Sequence, residues 1–400
     1  MTTLSVIIPA YNEVDCIGPS IEAVLGTRAA LAEAGVDRLE VIVVDDGSHD
    51  GTAEVVGRYP EVTLLCHGTN HGYGAALKTG FSHATGDLCG FLDADGTYPA
   101  EAFPELCRAV SAGADVAVGS RRSGAASRMP LVRRVGNALW SRLLTALADE
   151  SVADPASGMR VFRREVLERL YPLPDGLNFT PVMSTRAVHE GVCVVELPIA
   201  YSERVGRSKL NVVRDGMRFL QTVLWTALNY NPVRILGTVG LVFVALGLLL
   251  GAVLVVMRLS GITQLGPWGV AAAYGAAVAG LVGVSLFALG ATFNYLVSLF
   301  HRRPVRQGLF KKPLFRTPLD RHFGWLGLVS LLLGLALGLV ALVLGLNGWP
   351  VERLWLYLLG GSALFLLGVQ LAVYWIIMRV LEELSRRDQL AEADVHGRKA

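Results

Sequence analysis

Asp87-Leu-Cys-Gly-Phe-Leu-Asp-Ala-Asp95 decides the fold class of the first half of the chain: an apolar run of strand length stops abruptly in two carboxylates. The same pattern stands upstream. An apolar strand at residues 4–8 stops at Pro9 and is followed by Glu13, and Leu39-Glu-Val-Ile-Val-Val-Asp45 runs into Asp46. A third apolar segment, residues 62–66, precedes the glycine-rich turn Gly68-Thr-Asn-His-Gly-Tyr-Gly74 and a helix through Phe81. Strands alternating with helical stretches predict a doubly wound, mostly parallel sheet. Ligands of such sheets bind beyond the carboxyl ends of the strands, where this chain gathers Glu13, Asp45, Asp46, Asp93 and Asp95.

Each acid can be read in more than one way. Asp45-Asp46-Gly-Ser48 suits a carboxylate that meets ligand donors, and equally an Asx-turn or helix cap. Asp93-x-Asp95, at a strand end, offers two hard oxygen donors to a divalent cation such as Mg²⁺ or Mn²⁺ beside a substrate diphosphate. A P-loop, a Gly-x-Gly-x-x-Gly turn after the first strand and a nucleophile elbow are all missing from the sequence. Triphosphate hydrolysis, dinucleotide redox chemistry and α/β-hydrolase chemistry therefore recede.

Outward from this domain the composition changes. The whole chain of 400 residues is 52% hydrophobic and 18% charged, which excludes disorder. Residues 235–257 contain no charge, enough for about 30 Å of hydrocarbon. Further spans are expected at about 268–299, 323–346 and 354–378. The loop between the second and third is strongly basic, from His301-Arg-Arg-Pro-Val-Arg306 through Lys311, Lys312, Arg316 and Arg321. By the positive-inside rule that loop is cytoplasmic, so four spans put both termini and the N-terminal domain in the cytoplasm, with the protein in the cell (inner) membrane. No ionisable residue lies inside a span, which disfavours an ion-coupled transporter. The net charge of +2, with no basic stripe interleaved with aromatics, gives no sign of nucleic-acid binding. Five cysteines without metal or redox spacing read as reduced thiols. The N-terminus lacks the basic region of a signal peptide.

Taken together and in order, Ser5-Val-Ile-Ile-Pro-Ala-Tyr-Asn-Glu13, Val43-Val-Asp-Asp-Gly-Ser48 with Asp50-Gly-Thr52, Gly86-Asp87 and Asp93-Ala-Asp95 resemble the family 2 inverting glycosyltransferases of GT-A fold. Val118-Gly-Ser-Arg121, Asp154-Pro-Ala-Ser-Gly-Met-Arg160, Glu196-Leu-Pro-Ile199 and Arg204-x-Gly-Arg-Ser-Lys209 resemble the branch containing dolichol-phosphate mannose synthase and bacterial polyprenyl-phosphate glycosyltransferases. The resemblance covers about residues 4–215. It implies a GT-A domain over 1–209, juxtamembrane amphipathic helices over 210–232, a transmembrane domain over 233–380 and a tail over 381–400.

It also implies roles. Pro9, Ala10, Tyr11, Glu13, Val44 and Asp46 would line the nucleotide pocket, and Asp93, Ala94 and Asp95 would hold diphosphate and metal. Arg204 and Lys209 would meet the donor phosphates; Arg121 and one of Arg133 or Arg134 would clamp a lipid phosphate with the bidentate fork that suits arginine. Asp93, Asp95 and Arg204 are the expected catalytic set. Three positions depart from the pattern. Thr97 replaces a usual glutamine as a further metal ligand, Thr180 and Met183 stand where an acid follows the phenylalanine, and Gly206-Arg-Ser-Lys209 carries an extra cation. The implied activity joins one sugar from a UDP- or GDP-linked donor to a membrane polyprenyl phosphate, for cell-envelope glycan or protein glycosylation. Self-association stays open. A processive polysaccharide synthase is the first alternative, although Gln221-Thr-Val-Leu-Trp225 lacks the arginine of the corresponding Gln-x-x-Arg-Trp motif. A channel or flippase with a degenerate transferase domain is the second.

Overall fold

A computed structural model describes residues 2–121, 141–142, 145, 153–202, 212–262, 264–301 and 319–396. The chain divides into two compact units, residues 1–226 and 227–400.

Among the described residues the first unit is built on a seven-stranded sheet in the order β3-β2-β1-β4-β6-β5-β7. The strands are β1 (Thr3–Ala10), β2 (Arg38–Asp45), β3 (Val62–Cys66), β4 (Leu88–Leu92), β5 (Val116–Ser120), β6 (Met159–Arg163) and β7 (Val194–Pro198). Only β6 runs against its neighbours, pairing antiparallel with β4 and β5. This is the mostly parallel GT-A-like sheet that the motifs implied. β1 is buried on both faces, as a central parallel strand should be. Leu4, Val6 and Ile8 enter one core with Ile17, Ile21 and Phe103. Ile7 enters a second core with Leu77, Phe81, Phe91 and Phe179. Helices Val14–Gly26 and Phe103–Ser111 supply the first core, and Tyr73–His83 and Phe179–His189 the second.

β1 runs two residues beyond its expected last residue, Ile8, pairing Pro9 with Val44 and Ala10 with Asp45. The Ala10 carbonyl accepts the Asp46 N–H at 2.8 Å, so Ala10 faces β2 and Pro9, one residue earlier, faces the other way. On that side the ladder to β4 has already ended at Ile7 and Phe91. Proline therefore leaves no ladder donor missing.

Among the described residues the second unit contains four helices long and apolar enough to cross a membrane: Pro232–Leu259, Pro267–Phe300, Phe323–Leu346 and Arg353–Leu384. Two of the packed pairs meet at glycines. A side chain on Gly240 would collide with the backbone at Gly283 and Phe287, and one on Gly334 with the backbone at Gly361 and Phe365. That is how transmembrane helices approach closely when no water drives them together. The Gln370 amide donates to the Ser285 hydroxyl, joining two helices. The last helix continues as far as His396, so much of the expected tail is one helix with the final span.

Between the sheet and the spans lies the helix Val212–Tyr230, where the chain shows basic and aromatic character. Thr222 on this helix accepts a hydrogen bond from the Asn178 amide at 3.0 Å, while Trp225 is 61% exposed.

Candidate active site

Hydrogen bonds tie the loops after β1 and β2 to each other. Asn12, in the left-handed region at φ 51°, donates its N–H to the Ser48 hydroxyl at 2.9 Å, and its side-chain oxygen accepts the His49 N–H at 2.9 Å. Glu13 N–H donates to the Thr52 hydroxyl at 3.0 Å and Val14 N–H to Asp50 at 3.1 Å. Asp45 holds the turn after β2 by accepting the N–H and hydroxyl of Ser48, three residues on. Burial opposes the charge of Asp50, but hydrogen bonds from Thr52 and Val14 prevail and hold its carboxyl below the usual range.

Asp46 takes a different part. It is 3% exposed, and its carboxylate accepts the His67 ring at 2.7 Å, the His71 N–H at 2.9 Å and the Gly72 N–H at 2.8 Å. The other ring nitrogen of His67, Nε2, hydrogen-bonds with the Thr79 hydroxyl at 2.9 Å. The second acid of the pair thus ties the glycine-rich turn to the end of β2. Of the other residues expected to line a nucleotide pocket, Tyr11 and Glu13 are partly exposed. Pro9 and Ala10 bury their side chains, and Val44 is 0% exposed within the second core. The Val44 side chain points into the packed face of the sheet.

At the end of β4, Asp93 and Asp95 are both partly exposed and flank Ala94, which is 3% exposed. Asp95 Oδ1 accepts the Thr97 N–H at 3.2 Å and the Thr97 hydroxyl at 2.6 Å. Thr97, expected as a ligand, is 1% exposed and sits behind Asp95, orienting it. Asp93 Oδ1 accepts the Tyr73 hydroxyl at 2.7 Å. Burial first, and the charge of Asp93 second, push the Tyr73 hydroxyl well above its ordinary range, so it remains a donor at all physiological pH. Among the described residues no group of three or more His, Cys, Asp or Glu side chains could hold a metal. Two carboxylates still fit Mg²⁺ or Mn²⁺, which are commonly bound by one or two carboxylates with substrate phosphates and water completing the shell.

The third cluster surrounds Asp154, which is 0% exposed. Arg121 grips it with Nε at 2.8 Å and Nη2 at 2.6 Å, and the Arg121 N–H adds a third bond at 2.9 Å. The guanidinium lies over the rings of Tyr98 and Tyr201, at 6.0 and 5.6 Å from their centroids. One edge of the expected phosphate clamp is thus occupied by Asp154; the Nη1 side is the edge turned away from it. Arg160, 1% exposed, donates to the carbonyls of Pro155, Ser157 and Thr180 and to the Ser184 hydroxyl. Burial lowers its pKa to about 10, so it stays charged at neutral pH. Arg133, Arg134, Arg204 and Lys209 lie outside the described residues.

The structure therefore brings Glu13, Asp46, Asp93 and Asp95 to one end of the sheet, as the strand ends predicted. The sequence reading missed Tyr73, His67, Tyr98 and Gly158. The dense glycines of residues 68–74 were a signal that this turn makes a close approach, without saying to what.

Residues 5–171 match glycosyl transferase family 2, and residues 232–392 match a domain of unknown function, DUF8752. Over 262 residues the chain is 31% identical to an undecaprenyl-phosphate 4-deoxy-4-formamido-L-arabinose transferase of Photorhabdus laumondii, covering 64% of this chain and 77% of that protein. It is 35% identical over 232 residues to the low-salt glycan biosynthesis hexosyltransferase Agl6 of Haloferax volcanii, covering 57% and 54% of the two chains. A solved structure of glucosyl-3-phosphoglycerate synthase from Mycobacterium tuberculosis with Mn²⁺, UDP and phosphoglyceric acid superposes with a TM-score of 0.46 at 24% identity, over 56% of this chain and 78% of that one.

Proposed function

This chain belongs to glycosyltransferase family 2, and we propose that it transfers a single sugar from a nucleotide-sugar donor to the phosphate of a membrane polyprenyl phosphate. The observation that carries the reading is Asp93-x-Asp95 at the open end of β4 in a family 2 domain that continues into four apolar helices. The curated relatives are named for undecaprenyl-phosphate and hexosyl transfer, which supports the acceptor and reaction class.

An oxygen of the lipid phosphate attacks the anomeric carbon while the bond from that carbon to the nucleoside diphosphate breaks, with inversion. A phosphate monoester has a second pKa near 6 and is largely ionised at neutral pH, so no side chain need act as general base. The protein's task is to hold the two partners in line. Tyr11, Glu13 and the turn tied down by Asp46 form the donor end. Asp93 and Asp95 would hold Mg²⁺ or Mn²⁺ beside the diphosphate, and the ion would supply positive charge that stabilises the leaving group. Arg204 and Lys209 would meet the donor phosphates, and Arg121 with Arg133 or Arg134 would clamp the acceptor phosphate. Thr97 keeps Asp95 aimed, and Asp154 keeps Arg121 extended. The basic loop between the second and third spans supports a catalytic domain on the cytoplasmic face of the inner membrane, with both termini on that side.

The reading is tested by incubating membranes that contain the protein with labelled UDP- and GDP-sugars and Mg²⁺ or Mn²⁺, then extracting the lipids. The expected product is an organic-soluble monosaccharide lipid that releases its sugar in mild acid. A long water-soluble polymer overturns single-sugar transfer, and the absence of product with every donor, from folded protein, overturns the enzyme reading.

A further inference from the structure

Two neighbouring residues of the glycine-rich turn reach two different carboxylates. The Gly72 N–H donates to Asp46 Oδ2 at 2.8 Å, and the Tyr73 hydroxyl donates to Asp93 Oδ1 at 2.7 Å. Gly72 has φ of 106°, and any side chain there would strike the Asp175 carbonyl. Only glycine lets the chain pass this closely. The Tyr73 ring is edge-on to Phe179, with centroids 6.5 Å apart, and packs against the second core. Its hydroxyl thus projects from a fixed ring.

Asp93 is confined from the opposite side as well. Gly158 is buried, and a Cβ built on it would fall onto the Asp93 carboxylate. The backbone there is itself pinned, because the Gly158 N–H donates to the Tyr98 hydroxyl at 2.7 Å. The carboxylate therefore rests on bare backbone on one side and accepts a rigid phenol on the other. A phenol is a well-suited partner: it orients an oxygen without cancelling the negative charge, which a lysine would do.

We propose that Tyr73 is a positioning residue for Asp93, its hydroxyl and the bare Gly158 backbone together fixing the carboxylate in the orientation that takes the divalent cation and donor diphosphate. The inference rests on the reading of Asp93 and Asp95 as the cation-holding pair. Because Gly72 and Tyr73 are adjacent, the same turn mechanically joins the nucleotide end of the site at Asp46 to the diphosphate end at Asp93.

The test uses the full chain in detergent micelles. Mn²⁺ binding is measured by loss of the free-Mn²⁺ paramagnetic resonance signal, with UDP and separately GDP present, beside the melting temperature and the Mn²⁺ dependence of turnover. Tyr73→Phe keeps the packed ring and removes the donor. Loss of a hydrogen-bonding partner behind a metal ligand typically weakens affinity roughly 10–100-fold, and that weakening is expected here, with the melting temperature within about 5 °C of wild type. Saturating Mn²⁺ should recover most of the turnover, which a merely structural residue would not allow. Gly158→Ala should weaken Mn²⁺ binding by displacing the carboxylate. Tyr59→Phe, which loses a surface hydrogen bond to Glu22, should leave binding unchanged. Wild-type Mn²⁺ affinity in Tyr73→Phe overturns the positioning role alone. A wild-type chain that binds no Mn²⁺ with either nucleotide overturns the cation reading and the positioning role together.

Discussion

Hydroxyl groups behave differently in the two halves of this protein. In the sheet unit, beside local bonds such as Ser48 to Asp45, several reach across the chain: Ser5 donates to Glu40, Ser20 to the Ala94 carbonyl and Ser157 to the Gly119 carbonyl. In the helical unit most reach back one turn of their own helix, Thr238 to the Arg234 carbonyl, Ser285 to Leu281 and Thr292 to Ala288. The first pattern specifies one tertiary arrangement, whereas the second satisfies polar atoms locally where water is scarce. Chemistry needs the first kind of precision, and among the described residues the pairs with a fully buried carboxylate, Asp46 with His67 and Asp154 with Arg121, are in the sheet unit. The helical unit is held by glycine contacts and a few inter-helical bonds such as Gln370 to Ser285 and Ser330 to the Leu364 carbonyl.

If this contrast is right, substitutions in the two units should differ in size and in kind. The largest effect is expected for Asp95→Ala. Losing several kcal/mol of charge stabilisation at the leaving group should cut turnover by about 10³-fold or more, with little change in melting temperature. Turnover near wild type in the lipid-extraction assay would show that the acids of β4 are not the catalytic ones.

Next comes Arg121→Ala, which strands the Asp154 carboxylate, 0% exposed, without its fork. Breaking a buried pair from one side costs roughly 3–5 kcal/mol, so a markedly lower melting temperature of the purified chain is expected. The double exchange Arg121→Met with Asp154→Leu should recover part of that loss while remaining inactive. Stability equal to wild type in the single variant would mean that the fork does no structural work. The smallest effect is expected in the membrane unit. Gln370→Leu removes one inter-helical hydrogen bond, for which an average of about 0.6 kcal/mol is typical. A loss as large as that of Arg121→Ala would erase the distinction between the units.

The two units were also unequally legible. The spans announce themselves because charge-free stretches of more than twenty residues leave few alternatives, and their central bounds needed no coordinates. Strands β1 to β4 were legible for a similar reason, since short apolar runs end in Pro9, Asp46, a glycine turn and Asp93. Strand ends extended further where pairing continued, as at Ala10. The carboxylates were legible as a cluster, because strand ends in a parallel sheet converge. Their partners were not. Tyr73 precedes Asp93 by 20 residues, and Gly158 follows it by 65. No periodicity connects them. Only the antiparallel insertion of β6 beside β4 brings Gly158 under the carboxylate. The depth of Val44 and Thr97 was hidden for the converse reason: a motif shows which residues recur together, but not which of them face solvent.

The charge-free spans bear on energetics as well as topology. An elementary charge moved across 100 mV of membrane potential exchanges about 2.3 kcal/mol with the field. Residues 235–257, 268–299, 323–346 and 354–378 contain no charged side chain for that field to act on. The voltage across an energised membrane therefore has no side-chain charge in these spans to displace. Movement of these stretches during turnover therefore carries no side-chain charge through the field, in a respiring cell as in a depolarised vesicle.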